Sequence, residues 1–189
     1  MTTERPLFIP VILGSTRNGR KSANVARFVH KEMAKHEGVE TELIDIREIK
    51  LPTDGDGEAI KDPVFSATVE RADGLIIVTP EYNHGYPGML KHVLDSNLKE
   101  YVHKAVGVCG VSAGPFGGAR VIENLLPVLR EMGMVAIFWD GNFSNVQKIF
   151  DEDGKLLEEA YIRRIDKFLK ELIWMSKVLR YGRENIQPV

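Results

Sequence analysis

Three stretches of this chain, Leu7–Leu13, Gly74–Thr79 and the apolar part of 103–111, carry almost no polar side chain. A strand of that kind must be covered on both faces, which points to a parallel sheet enclosed by helices. The intervening segments have the matching helical period. After the loop Gly14 to Lys21, apolar residues recur at Val25, Phe28, Val29 and Met33, and Gly38 stops the helix. The alternation continues with a strand at Thr41–Ile46, a helix at about Pro63–Ala72 and a helix opening near Tyr86. It ends with a helix from about Gly118 to Met132, a strand at Met134–Phe138 and a long helix near Leu156–Arg180. Five strand–helix units predict an α/β chain with right-handed crossovers and helices on both faces of the sheet. Pro10 is ill suited to a central strand, and Pro127 is expected to bend the fourth helix.

The 189 residues suit one domain spanning 1–189, with no repeat, low-complexity tract or linker; 53–57 reads as a surface loop. A net charge of -2 gives no reason to expect nucleic acid or an anionic membrane surface as partner. Cys109 is the sole cysteine and falls in an apolar strand, which excludes an intrachain disulfide, suits the cytoplasm and reads as an inert core thiol. Neither Leu7–Leu13 nor the uncharged run Ala105–Ala119 is long enough to span a bilayer, and no basic lead-in marks a signal peptide.

In a doubly wound sheet, ligands bind beyond the carboxyl ends of the strands, where strand order reverses. Three loops belong there. The first runs from Gly14 through Ser15, Thr16, Arg17, Asn18, Gly19, Arg20 and Lys21 into a helix beginning near Ser22. A helix N-terminus offers unpaired N–H groups and partial positive charge, worth about 0.3 to 1 kcal/mol per nearby anion. Arg20 separates Gly19 from Lys21, so the Walker pattern fails by one residue. Gly14 and Gly19 give no dinucleotide fingerprint, and Asp45 is too distant to be its ribose ligand, which leaves a monophosphate as the better ligand. Alternatively, Ser22 merely caps the helix and Arg17, Arg20 and Lys21 are solvated.

The second loop, Thr79 to Gly88, mixes turn formers with aromatic residues, and Gly85 and Gly88 allow close backbone approach to a flat ring. Here the chain resembles the NADPH-dependent FMN reductase family of quinone, chromate and azo reductases. The resemblance is carried by Gly14-Ser15-Thr16-Arg17 with Ser22, by Pro80-Glu81-Tyr82-Asn83 with Gly85, Pro87-Gly88, Leu90-Lys91 and Leu94-Asp95, and by Ser112-Ala113-Gly114 with Gly117-Gly118. It covers residues 7 to about 135 and is looser beyond 140. It implies a flavodoxin-like three-layer sandwich whose five-stranded parallel sheet has the order 2-1-3-4-5. It also implies FMN, with its phosphate on Ser15, Arg17, Ser22, Ala23 and Asn24 and its ring against Pro80, Glu81, Tyr82 and Asn83. Tyr82 and Asn83 would supply backbone donors to the ring edge, and Ser112, Gly114 and Gly117 would close over its pyrimidine end. Many relatives carry Asn at the place of His92 and Trp in the stretch of Tyr101, both off the implied contacts.

The activity so implied is two-electron, ping-pong transfer from NADPH or NADH to a quinone, azo compound or metal oxyanion. The ring carries the redox step, and no indispensable acid or base stands out. His84 is either a proton donor at the ring loop or plain polar surface. His30, His36, His92 and His103 lack metal-ligand spacing, and Asp151-Glu152-Asp153-Gly154 has its glycine too early for a calcium loop, so no metal is expected. The stripe Ile162, Ile165, Phe168, Leu169, Leu172, Ile173, Trp174, Met175, Val178 and Leu179 is wider than one core face needs, which suggests a homodimer or homotetramer. Two rival readings remain: a flavodoxin-type carrier that does not oxidise NAD(P)H itself, and a P-loop-like phosphotransferase using Glu81 as its magnesium ligand.

Overall fold

The computed structural model describes residues 5–55 and 57–186. Its strands are β1 (Leu7–Phe8), β2 (Val11–Leu13), β3 (Val39–Glu40), β4 (Leu43–Asp45), β5 (Gly74–Pro80), β6 (Ala105–Val111), β7 (Val135–Ala136) and β8 (Gly141–Phe143). Its helices are α1 (Ser22–Met33), α2 (Pro63–Arg71), α3 (Gly88–Asp95), α4 (Ala119–Glu131) and α5 (Ala160–Asn185), with short 3-10 turns at Gly57–Ile60 and Lys99–Tyr101. Local chemistry sets several boundaries. Pro63 occupies the first turn of α2, where its missing N–H costs nothing, and the Asp62 carboxylate caps that turn by accepting from the Phe65 N–H at 2.9 Å.

Every strand pair is parallel. The main sheet has six strands in the order β4-β2-β5-β6-β7, with β8 beside β6, while β1 and β3 pair separately. This corrects the expectation of a five-stranded sheet in the order 2-1-3-4-5: Leu7–Leu13 is divided into β1 and β2, and the short strands β3 and β8 form outside the expected ranges. The break after β1 falls at Pro10, whose carbonyl accepts from Ile76 at 2.9 Å on the side facing β5, where its ring nitrogen has no hydrogen to return. In the last strand region, Phe138 and Trp139 turn outward into solvent between β7 and β8. The closing helix runs from Ala160 to Asn185 rather than from Leu156 to Arg180, since Phe150 and Leu156 instead pair across a turn closed by Asp151. α4 is continuous through Pro127.

Alternate residues of β5 serve opposite layers. Ile76 and Val78 face a core built with Val25 and Val29 of α1 and Phe168, Leu169 and Leu172 of α5. Leu75 and Ile77 face a second core with Val69 of α2, Leu90 and Leu94 of α3, and Ile122 and Leu125 of α4. The result is an α/β, flavodoxin-like sandwich with helices on both sides of a parallel sheet. Among the described residues, no helix is long and apolar enough to cross a membrane.

The amino end of the sheet is tied by a buried carboxylate. Asp73, fully buried, accepts from Arg5 at 2.7 and 2.9 Å, from Arg183 at 3.1 Å and from the Phe8 N–H at 3.0 Å, with Arg180 at 3.7 Å. This joins β1, the start of β5 and the last turns of α5. At the opposite end, Gly118 enters α4 at φ 76°, and a Cβ there would lie 2.6 Å from backbone atoms of Gly110 and Val111. Gly38 also has positive φ, 74°, but a Cβ there would meet nothing within 4 Å.

Urea unfolding should separate these two glycines. Gly38→Ala is expected to cost about 1 to 2 kcal/mol, the left-handed penalty alone. Gly118→Ala should cost at least about 3 kcal/mol, because the backbone must also move apart. Asp73→Asn should cost about 3 kcal/mol, as it leaves clustered guanidinium groups without their counter-charge, and a midpoint unchanged from that of the parent would refute the account of this knot.

Candidate functional site

The chain passes from β2 to β4 on one side of the sheet and then to β5 on the other, so the crevice beyond β2 and β5 is the topological switch point. Register brings the loops level: Leu13 pairs with Val78 and Pro80 with Val111. The loops after β2, β5 and β6 therefore leave the sheet together. They enclose a cleft of about 290 Å³, lined by Arg17, Gly19, Arg20, Lys21 and Ser22, by Pro80, Glu81 and Tyr82, by Val111, Ser112 and Ala113, and by Val146. A larger cavity of about 500 Å³ lies along the sheet edge between 138–143 and α5 and receives none of these loops.

In the first loop, Ser15 and Ser22 are buried, and neither Oγ has a hydrogen-bond partner. No side chain caps α1, whose N-cap is Lys21. Buried hydroxyls almost always find partners, and Ser22, which lines the cleft at the uncapped N-terminus of α1, fits an anion such as a phosphate, while Ser15 sits just after β2 and is not among the lining residues. The loop is braced by cations the sequence did not single out for that purpose. Arg20 donates to the Ser15 carbonyl and pairs with Asp45, while Arg47 donates from Nε to the Thr16 carbonyl at 2.8 Å and from Nη2 to that of Arg17. Arg17 itself reaches across the cleft, with its guanidinium carbon 4.4 Å from the centre of the Tyr82 ring. Ala23 is buried on α1, and the Asn24 side chain accepts from Arg27 next to Gly154.

The second loop is a tight turn. Tyr82 and Gly85 exchange N–H to carbonyl bonds at 2.9 Å each, and Asn83 and His84 between them have φ of 50° and 66°. The Glu81 N–H donates to Val111 at 2.9 Å. Of the two expected backbone donors, Tyr82 is thus already engaged, whereas among the described residues no acceptor takes the Asn83 N–H. Glu81 Oε2 is buried without a partner, and Oε1 lies 3.7 Å from Arg120. Asn83 and His84 are exposed at the rim rather than lining the cleft.

The third loop is held by its own backbone. Ser112 Oγ donates to the Gly114 carbonyl at 2.9 Å, the Ser112 N–H to Phe143 at 3.0 Å and the Asn145 N–H to Gly114 at 2.9 Å. Gly117 packs against Asn142, so Gly114 and Gly117 shape this loop without lining the cleft. Burial, with Asp140 nearby, raises the Cys109 thiol pKa, which keeps it protonated and unreactive. Among the described residues, no His, Cys, Asp and Glu group could hold a metal ion.

Comparison with known proteins places the chain in a family. The family model of NADPH-dependent FMN reductases matches residues 8–145. A quinone reductase of Escherichia coli is 36% identical over 169 residues, covering 82% of this chain and 87% of that protein. An NAD(P)H-dependent FMN reductase of Pseudomonas aeruginosa is 31% identical over 184 residues, covering 88% of this chain and 94% of its own. Among solved structures, the flavoenzyme NAD(P)H:(acceptor) oxidoreductase FerB of Paracoccus denitrificans superposes with a TM-score of 0.73 over 91% of this chain and 98% of its own, at 22% identity, a likeness of fold. The chain belongs to the NADPH-dependent FMN reductase family.

Proposed function

We propose that the chain is a single FMN-binding domain that passes reducing equivalents from NADPH or NADH to a quinone, an azo compound or a metal oxyanion. The observation that carries this reading is the pair of buried, unpartnered hydroxyls of the first loop, Ser15 Oγ just after β2 and Ser22 Oγ at the uncapped start of α1. The FMN phosphate would take both, with Arg17, Ala23 and Asn24 around it. The ring would lie against Pro80, Glu81, Tyr82 and Asn83, with Ser112, Gly114 and Gly117 shaping the far wall. Bound there, FMN would supply a reversible two-electron store between donor and acceptor.

The chain's own part is binding and orientation. The Tyr82–Gly85 turn fixes the Asn83 N–H at the rim, where a set donor favours negative charge on a neighbouring ligand without reorganisation. The Arg17 guanidinium neutralises charge at the first loop and packs on Tyr82 at the second. Donor and acceptor would use the open side of the cleft in turn. Such donors and the free Cys109 thiol suit the cytoplasm. Ile162, Trp174 and Val178, exposed along α5, support self-association into a homodimer or homotetramer.

Ser15→Ala combined with Ser22→Ala should weaken FMN about 10- to 100-fold in a fluorescence titration, the loss expected of hydrogen bonds to a charged group. Affinity equal to that of the unsubstituted protein would place the phosphate elsewhere. For the FMN-loaded enzyme, initial rates with NADPH and a benzoquinone should give parallel double-reciprocal lines; intersecting lines would rule out alternate use of one position.

A further inference from the structure

The second loop holds two non-glycine residues in the left-handed region, Asn83 at φ 50° and His84 at φ 66°. Both carry a Cβ and so bear a steric penalty that glycine would not, asparagine the less through its short polar side chain. Such a conformation persists only where the surroundings over-determine it. The paired bonds between Tyr82 and Gly85 close the turn from its ends. What holds its middle comes from α4, where Asn124 Nδ2 donates to the His84 carbonyl at 2.9 Å. The second hydrogen of the same amide goes to the Arg120 carbonyl, also at 2.9 Å. Both partners can only accept, so the orientation of the amide is fixed by its chemistry. One turn earlier on α4, Arg120 lies 3.7 Å from Glu81, the residue just before the turn. α4 in turn cannot drift, because Gly110 and Gly118 meet backbone to backbone.

We propose that Asn124 is a positioning residue: its amide holds His84 in the left-handed conformation and thereby keeps the Asn83 N–H unpaired and available to the ligand of the cleft. The link to FMN rests on the function proposed above; the clamp on the turn does not. Asn124 is exposed, and the His84 and Arg120 carbonyls that its amide bonds belong to residues that do not line the cleft, so its effect passes through the turn.

The test compares the unsubstituted protein with Asn124→Ala, His84→Gly and the double variant. Glycine at 84 relieves the strain that Asn124 offsets. In FMN-free protein, hydrogen exchange at the Tyr82 and Gly85 amides should accelerate about 5-fold in Asn124→Ala, the loss of one exposed neutral hydrogen bond. In the His84→Gly background the same substitution should change exchange less than about 2-fold, because there is little strain left to hold. FMN affinity should follow the same pattern, falling about 5-fold in Asn124→Ala and recovering in the double variant. Equal losses in both backgrounds would mean that Asn124 merely supports α4 and would overturn the proposal, as would unaltered exchange in Asn124→Ala. Altered exchange with equal FMN affinity in all four proteins would overturn the link to the cleft. If no form takes up FMN, the function proposed above fails, and the exchange comparison still decides the clamp.

Discussion

The ladder between β5 and β6 is the constraint on which the molecule depends. It runs the full seven residues of each strand, from Gly74 with Ala105 to Pro80 with Val111, and nearly every residue in it is buried. Two consequences follow from its register. Alternate side chains are driven into opposite layers, which gives each set of helices its own core. The two strands also end at the same height, so the loops that follow them emerge side by side. β2, paired to β5 through Leu13 and Val78, adds its loop to the same rim. The cleft is thus a product of sheet register before any side chain in it is considered.

What stabilises the loops differs from what stabilises the layers. The layers rest on apolar burial, at roughly 25 cal/mol per Å² removed from water. The loops rest on hydrogen bonds to their own backbone: Arg20 and Arg47 on the carbonyls of Ser15, Thr16 and Arg17, and the Ser112 hydroxyl on that of Gly114. Guanidinium groups so engaged serve as struts rather than as free positive charge. At the other end of the sheet, Asp73 gathers three arginines in the same manner and fastens α5 to β1.

Much of this was legible in the sequence because it is written in local pattern. Unbroken apolar runs gave β5 and β6, helical period gave α1, and the pattern from Pro63 onward gave α2. The Pro80-Glu81-Tyr82-Asn83 string pointed to the second loop. The breaks in the outer strands were only half legible: Pro10 announces one, while at Phe138 and Trp139 the only turn signal is the Asp140-Gly141 pair that follows them. Arg47, Asn124 and Val146 could not be found by periodicity or spacing, since each reaches the site from a distant part of the chain. The engagement of the Tyr82 N–H was not read from the sequence either, because it requires Asn83 and His84 both to adopt positive φ in one tight turn, which their residue types permit but do not require.

The stacking of Arg17 on Tyr82 spans the crevice like a drawbridge between its two banks. A molecule bearing only a phosphate, or only a flat ring, would have to disturb that contact to settle on its own bank, and would recover the cost from one half of the attractions on offer. A molecule that joins the two parts disturbs it once and gains from both. If FMN binds as proposed, preference for the whole nucleotide over its fragments would follow from a contact that exists before any guest arrives.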